Sequence, residues 1–236
     1  MSNYGQFCSL ARAHDVLGGR WTLLIVRELL FGSHRFTDIR RGIPRISRTM
    51  LSERLQALIL VGAVARSDGA HGPEYALTEA GMELATVVSA LATWGQRWLA
   101  RRAEDEDLDP GPLLVDMRRR VRFDALPKHP LVVRFEINGS KPRFMLLKTA
   151  EASLCTQNPG FPEALRVRGP LSVLVSWWRG DVTILEAQRR GLALEGPRAL
   201  ARAFPGWFDR YLFADIGPAT VKQPGKVGVV ARAAMQ

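Results

Sequence analysis

The chain is poor in cysteine, histidine and lysine, and it lacks long apolar runs. Each scarcity excludes something. Two cysteines in 236 residues, Cys8 and Cys155, provide no disulfide framework and no cluster with zinc-ligand spacing. His14, His34, His71 and His129 have no ligand spacing with cysteine or carboxylate, so no metal site is expected. Apolar stretches are cut by Arg, Glu or Gly well short of the length that spans a bilayer. The first residues lack the basic start, apolar core and cleavage site of a secretory leader, so the cytoplasm is the expected compartment and no membrane partner is expected. The second half has no Ser/His/Asp order, no paired carboxylates in a motif and no phosphate loop, so neither catalysis nor a cofactor is expected. Lysine is scarce beside arginine, five against twenty-eight, which reflects genome composition more than function.

What is present is an ordinary globular composition, 47% hydrophobic and 24% charged, in a chain long enough for two domains. The net charge of +10 allows a nucleic-acid partner but does not locate it. Residues 1–103 carry thirteen arginines against eight acids, and the part after residue 109 carries twenty basic residues against ten acids. Between them lies an acidic run, Glu104 to Asp109, followed by Pro110-Gly111-Pro112. This reads as a boundary, because Pro and Gly stop helices and charge keeps a segment solvated. The expected division is a domain over 1–103, a linker over 104–112, a domain over 113–215 and a small-residue, poorly ordered tail over 216–236.

In the first domain, residues 7–17 predict a short helix and 21–31 a strongly apolar one that Gly32 can cap. A short helix over 36–41 meets the turn Gly42-Ile43-Pro44, and Pro44 forces the next helix to begin after it. Ser47 is placed as that helix's N-cap. Over 48–61, Leu51, Leu55, Leu58 and Ile59 share one face at the helical period, while Thr49, Ser52, Glu53 and Gln56 share the other. Strands over 63–67 and 74–78 flank a turn-rich tip, and a long helix covers 79–101. Helix, helix, turn, helix, hairpin is the plan of a winged helix-turn-helix, in which the second helix of the turn enters the major groove. From Arg35 to Arg66 seven arginines face only Asp38 and Glu53. The plainer reading is a solvated charged surface on a small helical domain.

The blocks Cys8 to Leu30, Arg35 to Ser47, Met50 to Leu58 and Tyr75 to Gly81 resemble, in order, the signature of the HxlR family of winged-helix regulators. The resemblance implies a homodimer on a partly palindromic double-stranded DNA operator. Dimerisation also has support in the sequence itself. Leu84, Val87, Leu91, Trp94 and Trp98 recur at spacings of three and four, a coiled-coil-like seam, unless they pack on their own domain. For DNA, Ser47, Arg48, Thr49, Ser52, Glu53 and Gln56 are the expected groove-facing residues. Arg35, Arg40, Arg41 and Arg45 are expected to contact phosphate, and Arg66 and His71 to act from the wing. Arg54 lies toward the core flank and is open between structure and contact. Cys8 stands where family members often carry a cysteine, some of which sense electrophiles or oxidants. A redox role and a small half-buried hydrophobe are both open.

In the second domain, strands are expected over 131–137, 143–148, 151–157, 164–168 and 192–195, and helices over 171–179, 181–190 and 197–204. Strands followed by helices make an α+β domain. The stretch from Val167 to Asp181, with Ala187 to Gly196, resembles the sterol-carrier-protein fold, which implies a mixed five-stranded sheet with helices over an apolar tunnel. Phe135, Phe144, Leu146, Leu174, Trp177 and Trp178 are the expected lining, unless they simply fill the core. A small hydrophobic effector there would modulate the DNA head. Rival readings are a lipid carrier or enzyme with a DNA-binding appendage, and a structural chromosome-binding protein.

Overall fold

The computed structural model describes residues 4–99, 109–139 and 141–217. Most of the acidic run, 104–108, and the tail from 218 lie outside the described residues.

The N-terminal unit, hereafter the head, runs α1 (Ser9–Leu17), α2 (Thr22–Leu30), α3 (Phe36–Gly42), α4 (Arg48–Leu60), β1 (Val64–Gly69), β2 (Gly72–Leu77) and α5 (Glu79–Trp98). Its core gathers Ile25, Val26 and Leu29 from α2, Ile39 from α3, Ile43 and Ile46 from the turn, Leu51, Leu55 and Leu58 from α4, and Val64 and Tyr75 from the hairpin. Burying such an aliphatic side chain contributes roughly 1.5–3 kcal/mol. Ile43 and Ile46 therefore pin the turn while Pro44 and Arg45 between them stay outside. Thr78 starts α5: its hydroxyl oxygen accepts from the Gly81 amide at 3.2 Å, and its O–H donates to the Gly62 carbonyl at 2.5 Å. Gly81 lies so close to the Ala63 carbonyl that a side chain there would collide with it, which brings α5 against the base of the wing. The wing strands reach further toward the tip than expected, pairing Asp68 with Pro73 and Gly69 with Gly72. A two-stranded ribbon is all edge, so Pro73 can join it without breaking a ladder.

The C-terminal domain contains α6 (Pro110–Arg119), β3 (Leu131–Ile137), β4 (Arg143–Leu147), β5 (Ala152–Cys155), β6 (Glu163–Gly169), α7 (Leu171–Trp178), α8 (Ile184–Arg189), β7 (Ala193–Glu195) and α9 (Arg198–Ala203), with a 3-10 turn over Phe204–Trp207. The sheet is mixed and five-stranded, in the order β5-β4-β3-β6-β7, with β3 and β6 parallel and the other pairs antiparallel. The α+β class expected from the sequence is the class observed. Strand alternation sends Leu131, Val133, Phe135, Ile137, Met145, Leu147, Leu165 and Val167 to one face, under α6 and α7. Asn138, with φ of 50°, turns the chain after β3, and its side-chain oxygen accepts from the Leu171 amide at 2.9 Å, holding the first residue of α7.

Two expectations need correction. Pro110-Gly111-Pro112 is not the end of a linker but the first turn of α6. Asp109 caps it by accepting from the Gly111 amide at 2.7 Å, and Pro fits the first helical position because that N–H has no partner anyway. The six side chains expected to line one pocket also fall on two faces of the sheet. Phe135, Leu174, Trp177 and Trp178 belong to the helix-covered core, where Trp177 stacks on Phe204 with centroids 5.7 Å apart. Phe144 and Leu146 point to the opposite face with Val132, Cys155 and Phe161. A period of two separates Phe144 and Leu146 from Met145, and that alternation puts them on the other side.

The two units meet along α6. Glu28, 1% exposed on α2, takes the Arg27 guanidinium on one carboxylate oxygen and Arg119 of α6 on the other, both at 2.7 Å. Arg119 also donates to Ser33 Oγ at 2.8 Å and lies over the Phe31 ring. Gly42 is buried where a Cβ would overlap the Glu28 carboxylate, and its carbonyl accepts from Arg27 at 3.2 Å. On the other side of α6, Asp116 accepts from Trp178 Nε1 at 2.8 Å and from Arg120 at 3.1 Å. Arg179, just after α7, donates to Gln96 on α5 at 3.3 Å.

Candidate nucleic-acid interface

The turn between α3 and α4 exposes one side of α4 and hides the other. Leu51, Leu55 and Leu58 are essentially inaccessible, and Arg48, Thr49, Ser52, Glu53 and Gln56 all stand exposed. Ser47 begins the helix with its oxygen accepting from the Met50 amide at 3.1 Å. That leaves its O–H proton free to donate outward. The first turn of α4 holds no acid. A carboxylate there would favour an isolated helix, so its absence leaves the positive end of the helix open to an anion from outside.

The wing stands beside this face. The Tyr75 amide donates to the His34 carbonyl at 2.8 Å, so β2 is tied to the residues that lead into α3. His71 is exposed at the tip, in the two-residue turn. The arginines differ in what they already hold. Arg35 is 3.8 Å from Glu74, and Arg66 is 3.9 Å from Asp68. These are long, exposed pairs that an incoming phosphate can displace. Arg41 pairs with Asp38 at 2.8 Å on the flank that faces the C-terminal domain. Arg54 donates to the Arg20 carbonyl at 3.3 Å and ties α4 to the loop before α2, a structural role. Arg45 is exposed at the turn, and Arg40 is half-buried on α3.

A second surface of the head is apolar. On α5, Val87, Leu91, Trp94 and Trp98 are 46–53% exposed, and Leu84 is half-buried against the head core. On α1, Phe7 just before the helix and Leu10 within it are exposed at 99% and 75%, and α1 has no buried residue. Cys8 is exposed at the N-cap of α1. The amides of Ala11 and Leu10 push its thiol below the usual range, with little opposing burial.

The head matches the model of the HxlR-like helix-turn-helix family over residues 16–103. It is 39% identical over 101 residues to the HTH-type transcriptional regulator YvaP of Bacillus subtilis, covering 41% of this chain and 94% of that one. The chain belongs to the HxlR family. A second relative, the HTH-type transcriptional regulator Rv3095 of Mycobacterium tuberculosis, is 43% identical over 96 residues, 39% of this chain and 60% of its own. Among solved structures, the reduced form of the transcriptional regulator YodB from B. subtilis is 32% identical and is covered over its full length by 42% of this chain, at a TM-score of 0.36. The HxlR match thus ends before α6, and the C-terminal domain is what this chain adds to the YvaP-sized head.

Sequence reasoning missed the contacts between that domain and the HxlR head. Glu28 carried a legible signal, since it lies three residues after Ile25 on the buried face of an apolar helix, where an acid needs a partner. Arg118 to Arg120 held the matching charges, but the helix carrying them was hidden by the Pro-Gly-Pro that opens it.

Proposed function

We propose that the chain is a homodimeric transcriptional regulator that reads a partly palindromic operator with α4, with its output set by the C-terminal domain. The observation that carries the DNA reading is the face of α4: a leucine stripe holds the helix in the head while Arg48, Thr49, Ser52 and Gln56 stand exposed past an acid-free first turn. Arg48 has the planar fork that fits guanine, a pair worth roughly 1–3 kcal/mol of discrimination. Arg35, Arg40, Arg41 and Arg45 serve as phosphate contacts, Arg41 after giving up Asp38, while Glu53 accepts from cytosine or orders a neighbouring arginine. Arg66 and His71 contact the backbone from the wing.

Dimerisation is supported by the row of half-exposed Val87, Leu91, Trp94 and Trp98 at helical spacing. Scattered exposed apolar residues are ordinary, but a contiguous row of large ones marks an interface. A two-fold pair of heads would place the two α4 helices roughly 34–36 Å apart, one turn of DNA. The C-terminal domain is positioned to bias that spacing because it grips α2 through Glu28 and α5 through Gln96. A small effector that binds one arrangement more tightly than the other would shift the balance. Its site need not be the sheet core, which Trp177, Trp178 and Phe204 fill. On this reading the protein acts in the cytoplasm and catalyses nothing.

A second reading has a specific observation behind it. Cys8 is exposed and its thiol is held low at the start of α1, beside Phe7 and Leu10, so oxidation or alkylation there would act on the dimer surface.

Selection of bound fragments from random duplex DNA, followed by footprinting, tests the main reading. The expected result is one enriched sequence with two related half-sites whose centres lie about 10 bp apart. Uniform coating of every duplex overturns it.

A further inference from the structure

A cleft of about 700 Å³ opens between the head and the C-terminal domain, within the usual size of small-molecule sites. Its walls come from both units. The end of α2 and α3 supply Phe31, Ser33, Asp38 and Arg41, α6 supplies Val115, Arg118 and Arg119, and β5 with the following loop supplies Leu154 to Pro159. The charges do not balance. Arg41 is held by Asp38 at 2.8 Å, and Arg119 by Glu28 at 2.7 Å. Arg118 has no ion pair among the described residues, and its Nε is buried without a hydrogen-bond partner. Arg118 is half-buried, and its orphaned Nε has lost water without gaining an acceptor, which is costly.

We infer that this cleft binds a small organic acid, whose carboxylate takes Arg118 and whose apolar body lies against Phe31, Val115, Leu154 and Pro159. The lining sets Arg41, Arg118 and Arg119 against Asp38, an excess of positive charge that calls for an anion, and the planar guanidinium fork matches a carboxylate with two parallel bonds. Burial and the neighbouring Arg119 push Arg118 below its ordinary basicity, the direction a bound anion would reverse. The exposed Thr156 and Gln157 can hydrogen-bond a polar edge of the ligand. Such a ligand touches α3, the helix just before the turn into α4, and the C-terminal domain together. The inference rests on the reading of the chain as an effector-controlled regulator only for its consequence at DNA; the binding itself is independent of it.

Binding of 2-naphthoate and of its neutral counterpart 2-naphthalenemethanol to the full chain, without DNA, tests this by calorimetry. The expected result is saturation at one naphthoate per chain, with the alcohol weaker by about tenfold or more, the value of a charge-assisted hydrogen bond. Arg118→Met should weaken naphthoate by a similar factor and leave the alcohol unchanged, and Arg118→Lys should recover part of the loss. Inorganic phosphate should compete poorly, having no apolar body. Equal binding of acid and alcohol, no saturation by about 5 mM, undiminished affinity in a folded Arg118→Met, or equal competition by phosphate each overturns the assignment. The comparison of acid with alcohol needs no variant, so it stands even if Arg118→Met does not fold. Operator selection without naphthoate binding would sink this inference and leave the regulator reading intact.

Discussion

The head and the C-terminal domain treat apolar surface in opposite ways. The C-terminal domain closes on itself: Trp177, Trp178, Phe204, Trp207 and Phe208 are all buried, with neighbouring rings 5.3–6.0 Å apart. Its exposed large apolar residues, Phe123, Leu185 and Leu212, are scattered through the sequence. The head buries a compact aliphatic core but leaves Phe7, Leu10, Leu24, Val87, Leu91, Trp94 and Trp98 in water. One unit has a finished core, and the other has a finished core plus an unfinished face. On the proposed reading, association falls to the head and the C-terminal domain acts on it.

Two tryptophan substitutions test that contrast most severely. Trp177→Ala should cost about 3–5 kcal/mol of stability, the usual range for a large aromatic removed from a packed core. Chemical denaturation would read the loss, and the mass in solution should remain that of the parent. Trp94→Glu with Trp98→Glu should do the reverse. Denaturation should change little, sedimentation should show monomers, and operator affinity should fall by about a hundredfold as the second half-site is lost. If Trp177→Ala dissociated the protein and the α5 variant did not, the division of labour would be wrong.

The link between the units comes next in size. Breaking a buried ion pair by removing one partner costs about 3–5 kcal/mol, because the other charge stays buried. Arg119 is slightly exposed, so Glu28→Gln should fall at the low end, about 3 kcal/mol. Scanning calorimetry should then resolve two transitions where the parent gives one, as head and C-terminal domain uncouple. Gly42→Ala, whose new Cβ would displace the same carboxylate, should act in the same direction. A single sharp transition in both variants would show that α6 docks without Glu28.

Within the head, the α4 face and its flanks differ more gently. Arg48→Ala should relax specificity by roughly 1–3 kcal/mol at one operator position, while Arg40→Ala should weaken all duplexes alike and lower the salt slope by about one. Titrations against operator and scrambled DNA at several salt concentrations separate the two. Equal losses on both duplexes for both variants would erase the distinction between base and backbone contacts.

What was legible in the sequence follows from the range of each signal. The α4 stripe, the Pro44 break and the Ser47 cap are local, and each stands within about a residue of where its pattern puts it. Strand β3 has its expected bounds because alternation and the Asn138-Gly139 turn agree. The Pro-Gly-Pro at α6 misled because the same residues break a helix interior and open a helix start. The helical spacing of Leu113, Leu114, Met117 and Val121 favours the helix start. The pocket assignment failed differently. Residue type alone grouped Phe144 and Leu146 with Phe135, while the period of two divides them. The Glu28–Arg119 pair spans 91 positions, and no local pattern specifies which of the chain's many arginines answers a buried acid.

The smallest effect concerns the two cysteines, one in each unit. Cys8 sits exposed on the open face of the head, and half-buried Cys155 lines the cleft beside the C-terminal sheet. Only the thiolate is nucleophilic, so alkylation follows the fraction ionised. The Ala11 and Leu10 amides stabilise the Cys8 thiolate and hold its pKa low. In a Cys155→Ser chain, the rate of iodoacetamide alkylation should therefore reach half its maximum at a lower pH than that of a free cysteine thiol. The sign for stability follows from the same lowered thiol. With the folded value depressed, the contribution is present above the unfolded thiol's pKa and disappears as pH falls through the folded one. Cys8→Ser puts a favoured N-cap residue at this position, so it should retain the helix start while abolishing the reaction. If a reaction midpoint equal to that of free cysteine were found, the amides would not be reaching the sulfur. The redox reading of the head would then lose its physical basis, and Phe7 and Leu10 would remain as exposed apolar residues alone.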